Sequence, residues 1–155
     1  MSNFDTNLDK NSANFVPLSP LSFITRVKDI YPNYDSLVYG KRSYTWLETY
    51  NRCTKFASAL AKKGITKGST VSIIAANTPE LFEAHYSIPM TGGVINTINT
   101  RLDAETIAYI LDHSDAKLLI TDTQFSPTMK KALQIYGKNI PCLLYTSDAA
   151  DEGWC

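Results

Sequence analysis

The stretch Thr70-Val71-Ser72-Ile73-Ile74-Ala75-Ala76-Asn77-Thr78-Pro79-Glu80 decides the fold class. Its first seven residues are small or β-branched, mostly apolar, and do not alternate with charged positions, which is the composition of a strand buried on both faces. Asn77 ends the run. Thr78 then stands where a helix cap is needed, Pro79 at the first helical position where its missing N–H costs nothing, and Glu80 in a first turn whose positive end favours a carboxylate. A buried strand running straight into a helix is the repeating unit of a parallel sheet.

Downstream the same unit recurs. The helix opened by Pro79 should be kinked or shortened in its last turn by Pro89. Residues 94–98 read as a strand, Asp103-Ala104-Glu105 begins a helix running to Asp112, residues 117–121 are strand-like, and Ser126-Pro127 opens a helix to about Tyr136. Upstream, Thr45-Trp46-Leu47-Glu48 has the Thr-x-x-Glu spacing in which cap hydroxyl and carboxylate satisfy each other's amides. Leu47, Tyr50, Cys53, Thr54, Ala57 and Leu60 or Ala61 form the apolar stripe of that helix, and Lys62-Lys63-Gly64 suits its end. Before it, residues 36–39 and 42–44 pair across Gly40-Lys41 as a β-hairpin. An earlier helix, over residues 20–30, carries Leu21, Ile24, Val27 and Ile30 at helical spacing and is stopped by Tyr31-Pro32. Alternation of helix and strand from Thr45 onward predicts an α/β fold in three layers, a mostly parallel sheet with helices on both faces joined by right-handed crossovers.

At 155 residues, 44% hydrophobic and 19% charged, the chain fits one globular domain or a substantial piece of a larger one. Fifteen Lys and Arg offset fifteen Asp and Glu, leaving no long-range field to gather polyanions, so neither nucleic acid nor an acidic membrane is an expected partner. Cys53, Cys142 and Cys155 make an odd count without ligand-type pairing, which argues against a disulfide framework and a zinc site and points to the reducing cytoplasm. Residues 1–14, rich in Asn, Ser and Asp, lack the basic start and apolar stretch of a secretory signal and read as a disordered tail. No apolar run approaches the roughly 18 residues that cross a bilayer, so no integral membrane segment is expected.

Three pieces in this order carry a resemblance: Ser43-Tyr44-Thr45-Trp46-Leu47-Glu48, Asn77-Thr78-Pro79-Glu80, and Pro89-Met90-Thr91-Gly92-Gly93-Val94-Ile95-Asn96-Thr97-Ile98-Asn99-Thr100-Arg101-Leu102. Together with residues 107–111 and 118–122 they resemble the amino-terminal part of AMP-forming acyl-CoA synthetases, of the AMP-dependent synthetase and ligase family in the adenylate-forming superfamily. The similarity covers residues 15–141, which would be the incomplete amino-terminal portion of such an enzyme's large domain. It implies a parent that activates a carboxylic acid, such as a fatty acid, with ATP and Mg to an acyl-adenylate and passes the acyl group to CoA. The family's phosphate loop (Ser/Thr-Gly-Thr-Thr-Gly-x-Pro-Lys in pattern), ribose-binding Asp, hinge and catalytic Lys lie further along a chain several times longer. The resemblance therefore implies a supporting framework, with no catalytic, cofactor-binding or metal-ligating residue assigned here, no cofactor bound by this piece alone, and the missing carboxyl-terminal part of its own chain as partner.

From Cys142 onward the family-like character fades, and residues 142–155 read as a non-native tail resembling translated sequencing adapter. Tyr145-Thr146-Ser147 echoes the start of the phosphate loop, but Asp148 and Asp151 stand where glycines and a lysine are required, and carboxylates there would repel a triphosphate.

Other tempting residues have plainer readings. Gly64-Ile65-Thr66-Lys67-Gly68-Ser69-Thr70 evokes a phosphate loop but leads from helix into strand, whereas the anion-binding turn leads from strand into helix. Gly92-Gly93 suits a helix end before a buried strand. His85 and His113 lack a second ligand on the same helix face, Cys53 falls on an apolar stripe, and Lys62-Lys63 and Lys130-Lys131 read as solvated helix charges. Arg101 follows a strand end, the usual edge for ligands in open α/β sheets, with a salt bridge to the next helix as its expected role. The nine Tyr are scattered away from the basic residues, so packing accounts for them better than base stacking. A different class of reading is a stand-alone flavodoxin-like α/β binding or interaction module without catalysis.

Overall fold

The strand expected over residues 70–76 lies inside the sheet of the computed structural model, which describes residues 11, 15–16 and 18–140 and the backbone of 142–145. In chain order the elements are α1 (Pro20–Ile30), β1 (Asp35–Tyr39), β2 (Arg42–Thr45), α2 (Trp46–Lys62), β3 (Thr70–Ile74), α3 (Pro79–Met90), β4 (Val94–Thr97), α4 (Ala104–His113), β5 (Ala116–Asp122), α5 (Ser126–Tyr136) and β6 (Cys142–Tyr145). A single 3-10 turn, Thr123–Phe125, precedes α5. The disordered tail expected over residues 1–14 lies, apart from Asn11, outside the described residues, as do residues 146–155 of the expected non-native tail.

The main sheet is four-stranded in the order β4-β3-β5-β6, and all its pairings are parallel. Ser72 of β3 stands between Asn96 of β4 and Leu119 of β5. Two-residue periodicity then divides the side chains between two cores. Val71 and Ile73, with Leu118 and Ile120, meet Phe56 and Leu60 of α2 and Ala84 and Ile88 of α3. Ile74 and Leu119 face the other way, onto Ile107 and Leu111 of α4 and Met129 and Ala132 of α5. Helices thus cover both faces, and the fold is three-layered α/β. The antiparallel hairpin β1–β2 is a separate two-stranded sheet.

Local chemistry sets most of the boundaries. Thr45 and Glu48 form the complete capping box of α2: the Glu48 N–H donates to Thr45 Oγ1 at 3.2 Å, and the Thr45 N–H donates to Glu48 Oε2 at 2.8 Å. Asp103 caps α4 by accepting from the Thr106 N–H at 2.8 Å. Helix α3 ends at Met90, one residue past Pro89.

Three expectations change. The buried face of α2 is Thr49, Cys53, Phe56 and Leu60, while Leu47 is 40% exposed. An apolar stripe misses Thr49 because its hydroxyl is satisfied internally, 2.5 Å from Ser36 Oγ, which removes the cost of burying it. On α1 only Ile24 is buried and Ile30 is exposed, since only the middle of that helix meets the body. Thr78 occupies the cap position of α3 but makes no side-chain cap bond; its hydroxyl is buried and pairs with no group of the chain.

Candidate functional site

In open parallel sheets ligands settle at the carboxyl ends of the strands, where the connections diverge to opposite faces. Here β3 leads through α3 on one face to β4, and β5 leads into α5 on the other face towards β6, so the divergence falls between β3 and β5. The segments bordering it are Ala75 to Glu80 after β3, Ile98 to Leu102 after β4, and the end of β5.

These segments are polar, yet their carboxylates are already engaged. Asp122 is 1% exposed; its carboxylate accepts from the Gln124 backbone N–H at 3.1 Å and the Gln124 side-chain amide at 2.9 Å, locking the turn into α5. Glu80 accepts from Arg42 Nη1 at 3.5 Å through one oxygen, while its other oxygen is buried without a partner. The backbone N–H of Arg101 donates to Asn99 Oδ1 at 3.0 Å. Its side chain is exposed and forms no ion pair among the described residues, which corrects the expected salt bridge to α4. Asp103 is the local reason: its carboxylate caps the helix through Thr106, and Glu105 is exposed in the first turn.

The two glycine segments lie at the opposite end of the sheet, before β3 and β4. They clasp each other: the Gly68 N–H donates to Gly92 O at 2.9 Å, and a Cβ at Gly92 would stand 3.1 Å from Lys67 Cα. Gly92 has φ +78°, and a Cβ at Gly93 would meet Thr91 Oγ1 at 3.0 Å and Ser69 O at 3.2 Å. Both are packing glycines at the amino end of the strands, away from the ligand edge. His85 Nδ1 lies 2.8 Å from Leu81 O, and His113 stacks on Tyr109. Cys53 is wholly buried, as its place on the stripe implies.

The strongest cluster of titratable groups lies elsewhere, between α2, α3 and the hairpin. Glu83 is 1% exposed and held by Arg52 through two hydrogen bonds, that from Arg52 Nη2 spanning 3.1 Å. The Tyr44 ring lies 4.8 Å from the Arg52 guanidinium carbon, and Cys53 Sγ reaches Glu83 O at 3.7 Å. Burial pushes the Glu83 carboxyl up, and Arg52 opposes this. Sequence reasoning missed these pairs; the available signal was Glu80 and Glu83, two carboxylates at i,i+3 spacing in a helix with few other charges.

The described residues gather neither a phosphate-binding loop nor a free carboxylate pair at the carboxyl edge; no group of three or more His, Cys, Asp or Glu suited to a metal ion comes together among them. What they assemble is a rigid parallel sheet presenting Asn77, Asn99, Thr100 and Arg101 along its carboxyl edge.

Solved structures with the same fold define the class. An anthranilate CoA ligase in complex with anthranoyl-AMP superposes with TM-score 0.79 at 19% identity, covering 88% of this chain and 27% of that one. A Mycobacterium tuberculosis fatty acyl CoA synthetase gives 0.76 at 22% identity, covering 81% and 26%. The chain thus shares its fold with part of each of these two enzymes. Sequence similarity then fixes the family: the model of the AMP-binding enzymes matches residues 24–155, and the chain belongs to that family. A peroxisomal butyrate–CoA ligase of Arabidopsis thaliana is 46% identical over 129 residues, covering 83% of this chain and 23% of the relative. An acetate–CoA ligase of Humulus lupulus is 47% identical over 129 residues, with the same coverage. A peroxisomal trans-cinnamate:CoA ligase of Petunia hybrida is 47% identical over 128 residues, covering 83% and 22%. The chain spans about a quarter of the length of the relatives it matches.

Proposed function

We propose that this chain is the framework section of a carboxylic acid–CoA ligase, whose parent joins an acid to AMP at the expense of ATP and transfers the acyl group to CoA. The observation that carries the reading is the combination of about 46% identity to CoA ligases with a carboxyl edge whose carboxylates are all internally engaged. The groups that hold the phosphates, the metal and the acid then belong to the remaining three quarters of such an enzyme, and the 155 residues alone are inactive. Relatives are named for butyrate, acetate and cinnamate, so the acid class spans short aliphatic and aromatic acids, more broadly than fatty acids alone. Among the described residues no helix is long and apolar enough to cross a membrane. Two of these relatives are named peroxisomal, which favours the peroxisome over the cytoplasm for the parent, because cysteine usage separates oxidising from reducing compartments and nothing finer.

Residues 142–155 are foreign in this reading, although the family match runs on to residue 155. Strand β6 does not decide against it, since any four-residue apolar run such as Cys142–Tyr145 can extend an open parallel edge beside Leu119 to Asp122.

The test is a chimera. Residues 24–141 replace the equivalent section of the Arabidopsis butyrate–CoA ligase, and thioester formation is followed with butyrate, ATP and CoA. Recovery of turnover in the chimera, with no pyrophosphate release from the 155-residue chain, is the expected outcome; turnover by the short chain alone would refute the reading.

A further inference from the structure

The hairpin β1–β2 is attached to the body without a share in either hydrophobic core. Neither cluster includes a side chain from it, even among the partly buried residues at their margins, and Val38 and Tyr39 are exposed. Several of its contacts with the body are polar. Ser36 Oγ lies 2.5 Å from Thr49 Oγ1 of α2. Arg42 and Tyr44, two apart and therefore on one face of β2, meet Glu80 and the Arg52–Glu83 pair. Two backbone bonds fasten its base, from Trp46 N–H to Tyr34 O at 3.0 Å and from Leu47 N–H to Pro32 O at 3.1 Å.

The closed arrangement is also incompletely satisfied. One oxygen of Glu80, the carboxylate that Arg42 of the hairpin reaches, is buried without a partner in the chain, and such a group weakens a docked state because it recovers water when that state opens. Arg42 reaches Glu80 only at 3.5 Å. We infer that the β1–β2 hairpin is a polar-docked strap over the α2–α3 groove that opens as a unit while the parallel sheet stays intact, with Arg42 and Glu80 governing its closure. An isolated two-stranded hairpin is marginal in water, so the strap loses its own ladder once undocked. Opening exposes Glu80, Glu83 and Thr49, an acidic groove that the closed form hides.

Native-state hydrogen exchange on the full chain tests this and reads no activity, so it stands apart from the proposed ligase function. Amides of residues 37–45 are expected to exchange at least tenfold faster than those of β3 and β5. Arg42→Met, which keeps the stem and removes the charge, should speed the hairpin further with β3 and β5 unchanged; Ser36→Ala, which removes the Thr49 contact, should do the same. Equal protection in hairpin and sheet, a uniform loss of protection in both variants, or hairpin exchange unaffected by both would overturn the inference.

Discussion

Burial pushes the Cys53 thiol from 9.0 up to about 12, with the neighbouring Glu83 charge acting in the same direction. The sign is that of an acid held protonated: the contribution to stability is present below the unfolded value and lost as pH rises through the folded one. At pH 8 the native thiol carries almost no thiolate and is inaccessible besides. Peptide-resolved alkylation should therefore label Cys53 on the order of a hundredfold more slowly in the native chain than in denaturant. Comparable rates in the two states would show that α2 does not pack as described. Cys53 was legible in the sequence because its neighbours at helical spacing are apolar. Thr49 was not, since only the distant Ser36 hydroxyl makes its burial affordable, and Arg101 was misread because Asp103, the nearest carboxylate of the next helix, is occupied as a cap.

Helix ends are where the sequence was most transparent, because a cap is made by residues three apart and needs nothing from the rest of the fold. Backbone hydrogen bonds hold the Glu48 carboxyl below its ordinary range through Thr45, and the Asp103 carboxyl likewise through Thr106. Folded values below unfolded ones mean that the stabilisation is complete above about pH 4 and is lost as pH falls through the folded values. Thr45→Ala should cost about 1 kcal/mol in a denaturant melt at pH 7, and the difference from the parent chain should shrink below pH 4; a pH-independent difference would mean that the carboxylate takes no part. The same reasoning failed at Thr78, where the cap residue is buried and its neighbours decide where the hydroxyl points. It also could not see the Arg42–Glu80 and Arg52–Glu83 pairs, which join residues 38 and 31 positions apart. Periodicity and capping thus gave the order of elements and the two-faced sheet, but not what holds the hairpin against α3.

Across the molecule the sheet has open edges: among the described residues β4 pairs with β3 alone, and Val94 at its start is 52% exposed. A parallel edge of this kind templates association unless something covers it. Light scattering should find the 155-residue chain associating with rising concentration, and Val94→Lys should move the distribution toward monomer. A monodisperse monomer at high concentration for the unaltered chain would mean that residues outside those described cover the edge.

The strand order has a consequence for synthesis on the ribosome. β3 emerges first and gains β4 within about two dozen residues, but its opposite side waits for β5, which begins at Ala116. At roughly 5 to 20 residues per second, the nascent chain holds Val71, Ile73 and Ile74 beside an unfilled slot for a few seconds. Chaperone capture, or a translational pause that prolongs that interval, should therefore act most strongly on chains arrested between α3 and β5.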